Sequence, residues 1–519
     1  MCRCLAIFRL NPGFTLCTVC RFNMATTDLK YDPLEVDVEL AKSYLKNNEH
    51  DIQRLVLPEI SGDCGNLSYQ FAKLVKVRKL KEKITENTSL FCQLEYLMNN
   101  TPIDVTEKNI QLIVQYLSLL HPKYKIIDDL KSIKLTRYIP LAALAPVTIY
   151  REVCCCEERS AVCHLFVKLC RESGFNICMK RKEEIRFQTI IEPPDMLCTG
   201  IIAEKSDLDS AVDIFLSSSS NPNCFWRLHR IYVQESVYDS FKNIIDFKTK
   251  LKGENIVKNV ELKKSCSDLF HYEDKYFLCD FVGDVADRRL VGIAAIFVEA
   301  YRTNKELLSL IRKAGSVSLW SADVAEANEI AYGVASNFVW INDYGNFDGP
   351  PDICTPFYLQ WNSIECDVPK HFWEKYQTWK TYDCNQRLSI IQKVFEEIEE
   401  IKGEHNVLFD SISKVSFNSV DVADGRICVV VESPVGIHLE NRIEVETFHS
   451  LVKGNAVLCN NLFDFPCDKF LQAGVPLMLY LGFSFGQPVW KKEMVSVNIH
   501  YYRYQNKVVV TNFGTIFAN

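Results

Sequence analysis

The chain has 519 residues, 48% of them hydrophobic and 24% charged, and a formal net charge of −7. That length can bury two or three cores, the composition excludes a chain dominated by disorder, and the acidic balance excludes a nucleic-acid footprint. The longest apolar stretches, Ile139–Tyr150 and Gly474–Phe485, are shorter than the roughly twenty residues of a membrane helix, so no membrane span is expected.

In chain order, the first 23 residues carry Cys2, Cys4, Cys17 and Cys20 among Arg3, Arg9 and Arg21, with Pro12 and Gly13 interrupting the apolar run of a secretory signal. No histidine follows at zinc-finger spacing, so a disordered leader is the simpler reading, and a start at Met24 would remove it. Without a signal, the 22 cysteines point to a reducing, cytoplasmic setting where they act as small hydrophobes. The cluster Cys154-Cys155-Cys156 with Cys163 and His164 reads as filler, because neighbouring strand residues face opposite ways, and no metal site is expected. Residues 31–60 are a short acidic lead-in, which makes 1–60 an N-terminal extension, partly disordered.

From Leu67 to Asn99 the positions Phe71, Leu74, Val75, Leu80, Ile84, Leu90, Leu94 and Leu97 recur at three and four, predicting two helices broken at Thr85–Thr88. The basic run Lys73–Lys83 is then a solvated helical face. The turn Asn99-Asn100-Thr101-Pro102, with Asn100 suited to a left-handed conformation, leads to a third helix at Lys108–Leu120. A helix over Ser160–Ser173 closes on Gly174. Later, Ser318-Leu319-Trp320 enters a helix bearing Ala322, Ala325, Ala327 and Ala331, and Phe338–Ile341 forms a strand running into Asn342-Asp343. Ile390, Ile391, Val394, Phe395, Ile398 and Ile401 stripe a core-facing helix at Arg387–Ile401. Val495, Val497, Ile499 and Tyr501 alternate, predicting a β-hairpin over Val495–Val510 with an exposed edge.

The strand–helix–strand run Ser318–Asp348 closely resembles the late catalytic-domain segment of the aldehyde dehydrogenase superfamily. Further residues carry the same resemblance: Asp207-Leu208-Asp209 with Ala211-Val212, then Arg230, Val233, Gln234, Glu235, Ser236, Tyr238 and Phe241. Lys453–Val457 and Phe470–Pro476 resemble the dinucleotide-binding segment already seen at Ala143–Gly174, as a second, truncated copy. With two such units the chain resembles the double-domain branch, family 16, over about 61–348 and 385–519. The resemblance implies an α/β fold: a reduced cofactor-type lobe at 61–190, a catalytic-type lobe at 191–365, and a second truncated dehydrogenase-like unit at 366–519. It also implies NAD or NADP as cofactor and a homodimer formed through isologous edges.

The departures from the family pattern bear on function. Counting back five residues from Arg230 puts Phe225 at the nucleophile position. Cys224 stands one residue earlier, on the opposite face if the segment is extended. Trp226, Arg227 and Leu228 replace small residues beside it. Glu192 matches the general base to within one residue but precedes Pro193-Pro194. Tyr150 and Arg151 stand where a lysine reaches the adenosine ribose, leaving Arg151 as a weak cofactor contact, and Asn460 stands at the same site of the second copy. No glycine lies between Gly174 and Gly200 to cradle a pyrophosphate. Leu290 occupies the position of the ribose-binding glutamate, and Glu299 is displaced from it. The expectation is a pseudoenzyme without cofactor that acts through protein contacts. The alternative is a residual NAD(P)-dependent oxidoreductase acting on an aldehyde or oxo group, with Cys224 as nucleophile and Glu192 as base.

Overall fold

The computed structural model describes residues 38–54, 69–119, 132–135, 141–142, 152–155, 160–175, 177–180, 197–221, 223–251, 263–283, 294–311, 314–348, 363–397, 418–423, 426–440, 443, 445–459, 466–479, 494–500 and 504–512. Helices α1 (Glu39–Arg54), α2 (Tyr69–Glu86), α3 (Thr88–Asn99) and α4 (Ile103–Leu119) come first. Helix α1 falls inside the span expected to be an extension. Its Ala41, Tyr44, Leu45 and Ile52 share one face and pack on the main core, which is why the segment is held. The break between α2 and α3 lies at Asn87, and Asn100 ends α3 at φ 52°, both as expected. Helix α4 starts before Lys108 because Pro102 can open a helix, and its carbonyl accepts from the Thr106 amide at 3.1 Å.

Strands β1 (Ser132–Leu135), β2 (Glu152–Cys155) and β3 (Cys178–Lys180) form a small parallel sheet in that order, with α5 (Ser160–Glu172) between β2 and β3 and Gly174 at φ +91° closing it. Beside the expected cysteine cluster, His164 Nδ1 meets the Tyr44 hydroxyl at 2.8 Å. Among the described residues no group of three or more His, Cys, Asp and Glu side chains is placed to hold a metal.

A second run of elements follows: β4 (Cys198–Ile202), α6 (Leu208–Ser217), β5 (Leu228–Gln234), α7 (Glu235–Leu251), β6 (Asp268–Tyr272), β7 (Lys275–Cys279), β8 (Ala294–Tyr301), α8 (Asn304–Leu310), β9 (Ser316–Trp320), α9 (Val324–Gly333) and β10 (Phe338–Ile341). After it come β11 (Ser363–Pro369), α10 (Lys370–Thr381), α11 (Cys384–Glu397), β12 (Asn418–Ala423), β13 (Arg426–Pro434), β14 (Ile437–Glu440), α12 (Val445–Lys453), β15 (Ala456–Cys459), α13 (Cys467–Gln472), β16 (Leu477–Leu479), β17 (Met494–His500) and β18 (Tyr504–Asn512). The large sheet has ten strands in the order β12-β13-β18-β10-β9-β4-β5-β8-β7-β6, parallel from β18 to β7 and antiparallel at both ends. Gly200 on β4 is needed for close packing: a Cβ there would meet Phe215 of α6 at 2.8 Å. Five strands form the remaining sheet, in the order β11-β17-β14-β15-β16.

The expected hairpin over Val495–Val510 is corrected. Strand β17 lies between β11 and β14, whereas β18 lies between β13 and β10, so the two belong to different sheets and neither is an edge. The alternation at Val495, Val497 and Ile499 reflects a strand covered on one face by α10, and the argument for a homodimer through this edge falls with the hairpin. Residues 366–519 divide between the sheets, since β12, β13 and β18 complete the one begun by β4. Among the described residues no helix is long and apolar enough to cross a membrane.

Candidate active site

The candidate thiol lies in the loop between α6 and β5. Asp207 caps α6 by accepting from the Ser210 amide at 3.2 Å. At the other end of α6, the buried Lys275 ammonium donates to the Leu216 and Ser218 carbonyls, the latter at 2.7 Å. The loop then turns tightly. Asn223 N donates to Asn221 Oδ1 at 2.9 Å, Cys224 N to Asn221 O at 2.9 Å, and Arg227 N to Cys224 O at 3.1 Å. The side-chain amides of Asn221 and Asn223 tie this loop to the turn after α3, reaching Asn100 O at 2.9 Å and Thr101 Oγ1 at 2.7 Å.

This geometry corrects the expectation of an extended segment. In consecutive turns the alternation of faces does not hold, and Cys224 and Phe225 are both buried, at 0% and 8% exposure. Burial pushes the Cys224 thiol well above its ordinary pKa, outweighing the nearby positive charges of Lys108 and Arg227. The nucleophilic form is the thiolate, so the group is held in its unreactive state.

An aromatic cluster lies in the same buried core as Cys224. Phe225 lies edge-on to Trp226 with centroids 4.7 Å apart, and Phe347 stands 5.0 Å from Trp226, 5.5 Å from Trp340 and 5.9 Å from Phe338. Phe338 and Trp340 come from β10, and Phe347 from the loop after it. That loop is fixed at several points: Tyr344 Oη donates to Trp226 O at 3.0 Å, Trp340 Nε1 to Asn346 O at 2.7 Å, and Gln115 Nε2 of α4 to Phe347 O at 2.7 Å. Gly345, at φ +63°, lies so close that a Cβ would meet Trp226 Nε1 at 3.0 Å. Lys108 of α4 places its ammonium 5.9 Å from the Trp226 ring centre. Cys224 and these rings lie in one buried cluster, and attack on a carbonyl would need the reacting carbon brought about 3–3.5 Å from the sulfur.

From the C-terminal part of the chain, Arg426 Nε at the start of β13 approaches Asp343 Oδ2 at 3.5 Å and its Nη1 approaches Asp348 Oδ2 at 3.9 Å. Burial raises the Asp343 carboxyl above its usual value, against the Tyr344 amide and the Arg426 charge.

Of the other sequence-predicted residues, Glu192, Arg151, Leu290 and Asn460 lie outside the described residues. Glu299 sits within β8 and binds Arg230 of β5 at 2.7 Å, so these two charges are used on each other. Sequence reasoning did not single out Phe347, Tyr344, Gln115 or Lys108. The only local signal was the aromatic-and-glycine turn Tyr344–Phe347 after β10.

No protein-family model matches the sequence, and no curated protein does. Solved aldehyde dehydrogenases are similar to the chain in structure. An NAD-dependent aldehyde dehydrogenase from Sinorhizobium meliloti is 13% identical with a TM-score of 0.43, over 60% of this chain and 81% of that one. A betaine aldehyde dehydrogenase from Staphylococcus aureus, solved with NAD+, is 16% identical with a TM-score of 0.41, over 60% and 79%. A succinate-semialdehyde dehydrogenase from Burkholderia pseudomallei is 12% identical with a TM-score of 0.41, over 60% and 83%.

Proposed function

We propose that this is an aldehyde dehydrogenase-like protein of the double-domain kind that has exchanged aldehyde oxidation for a scaffold role exerted through contacts with other proteins. The observation that carries this reading is the complete burial of Cys224, at 0% exposure, in the same cluster as Phe225, Trp226, Phe338, Trp340 and Phe347, where burial opposes its deprotonation. An oxyanion needs donors aimed at it in an open pocket. Here the Cys224 amide already donates to the Asn221 carbonyl at 2.9 Å.

Work without NAD or NADP belongs to the same reading. The segment 181–196 between β3 and β4 contains no glycine for close approach of a pyrophosphate, and Arg151 stands where the family has lysine.

The test uses the purified full chain. NADH or NADPH formation is followed across aliphatic and aromatic aldehydes, with Cys224→Ala alongside, and NAD and NADP are titrated by calorimetry. No turnover in either protein and no micromolar binding are expected. Turnover that disappears in Cys224→Ala would establish the residual oxidoreductase instead.

A further inference from the structure

We draw no further inference here: the strongest candidate, the apolar sheet face at the β12 end of the ten-stranded sheet, where Val420 and Val422 stand 64% and 66% exposed in register with Val429 and Ile427 of β13 and beside the core under α9, carries nothing because nothing in the structure shows what covers it.

Discussion

Phe347 is one of five clustered rings at the candidate site, with Phe225, Trp226, Phe338 and Trp340 around it and 1% of its surface exposed. Removing such a ring takes away both its burial and its contacts. Phe347→Ala should cost about 3–5 kcal/mol in urea unfolding, and a loss under about 1 kcal/mol would show that the ring does not fill the site. The same cavity should make the Cys224 thiol available, so maleimide labelling mapped by mass spectrometry is expected to reach Cys224 faster in the variant than in wild type. On the reading proposed above, a thiol at position 225 is not enough: Phe225→Cys should show no aldehyde oxidation, because Trp226 and Phe347 pack against that position, and any NADH-forming turnover in that variant would argue for an open pocket.

At the level of elements, three helix ends are held by cations, two from distant parts of the chain and one, Arg387, from the start of the next helix. Lys275 of β7 binds the last carbonyls of α6, Lys507 of β18 binds Tyr332 O and Val334 O at the end of α9 at 3.0 and 2.8 Å, and Arg387 binds Trp379 O and Lys380 O at the end of α10. Each complements the negative end of a helix dipole. Lys275→Met, which strands two buried carbonyls, should cost about 1–3 kcal/mol in thermal or urea unfolding. Lys507 adds a pH dependence. Burial lowers its ammonium to about 8, whereas the unfolded chain keeps the proton to about 10.5. Below pH 8 both states are charged and the cost of burial is fully present; between pH 8 and 10.5 the unfolded state holds more protons, so stability rises. Wild type should gain on Lys507→Met over that window by up to about 3 kcal/mol, and a constant difference across it would contradict this. The caps by Lys275 and Lys507 were not legible in the sequence, since each joins residues far apart in it. What was legible was local: the helix break at Asn87, the left-handed Asn100, and β9, α9 and β10, each set by the period or turn residue of its own segment. The hairpin reading failed for the same reason. Alternation fixes that Val495–Ile499 is a strand, but not which sheet it joins. The match that puts Phe225 at the expected nucleophile position rests on counting along one segment, whereas Phe347, stacked against Phe225, comes from a loop more than a hundred residues later.

For the whole molecule, the last strand decides how the parts cohere. Strand β18 lies parallel to β10 in the register Phe338–Val508, Val339–Val509, Trp340–Val510 and Ile341–Thr511. Val508 and Val510 face the core that contains the aromatic cluster, Val509 faces the core under α9, and all three are within 1% of full burial. At about 1.5–3 kcal/mol for each buried valine, the strand contributes about 5–9 kcal/mol, comparable with the entire stability of a typical domain. It also covers the open edge of β10, the strand that carries Phe338 and Trp340. A fragment of residues 1–362 expressed alone would therefore present an unpaired apolar edge and a loosened aromatic cluster, and should aggregate or form a molten state with exposed hydrophobic surface. Co-expressing residues 363–519 should restore a soluble one-to-one complex on size exclusion, with a single unfolding transition, because β18 and β13 then re-form the sheet in trans. A well-folded, monomeric 1–362 with the thermal stability of the full chain would show instead that β10 needs no partner, and that the sheet from β4 to β10 is a self-sufficient unit to which the C-terminal strands are merely attached.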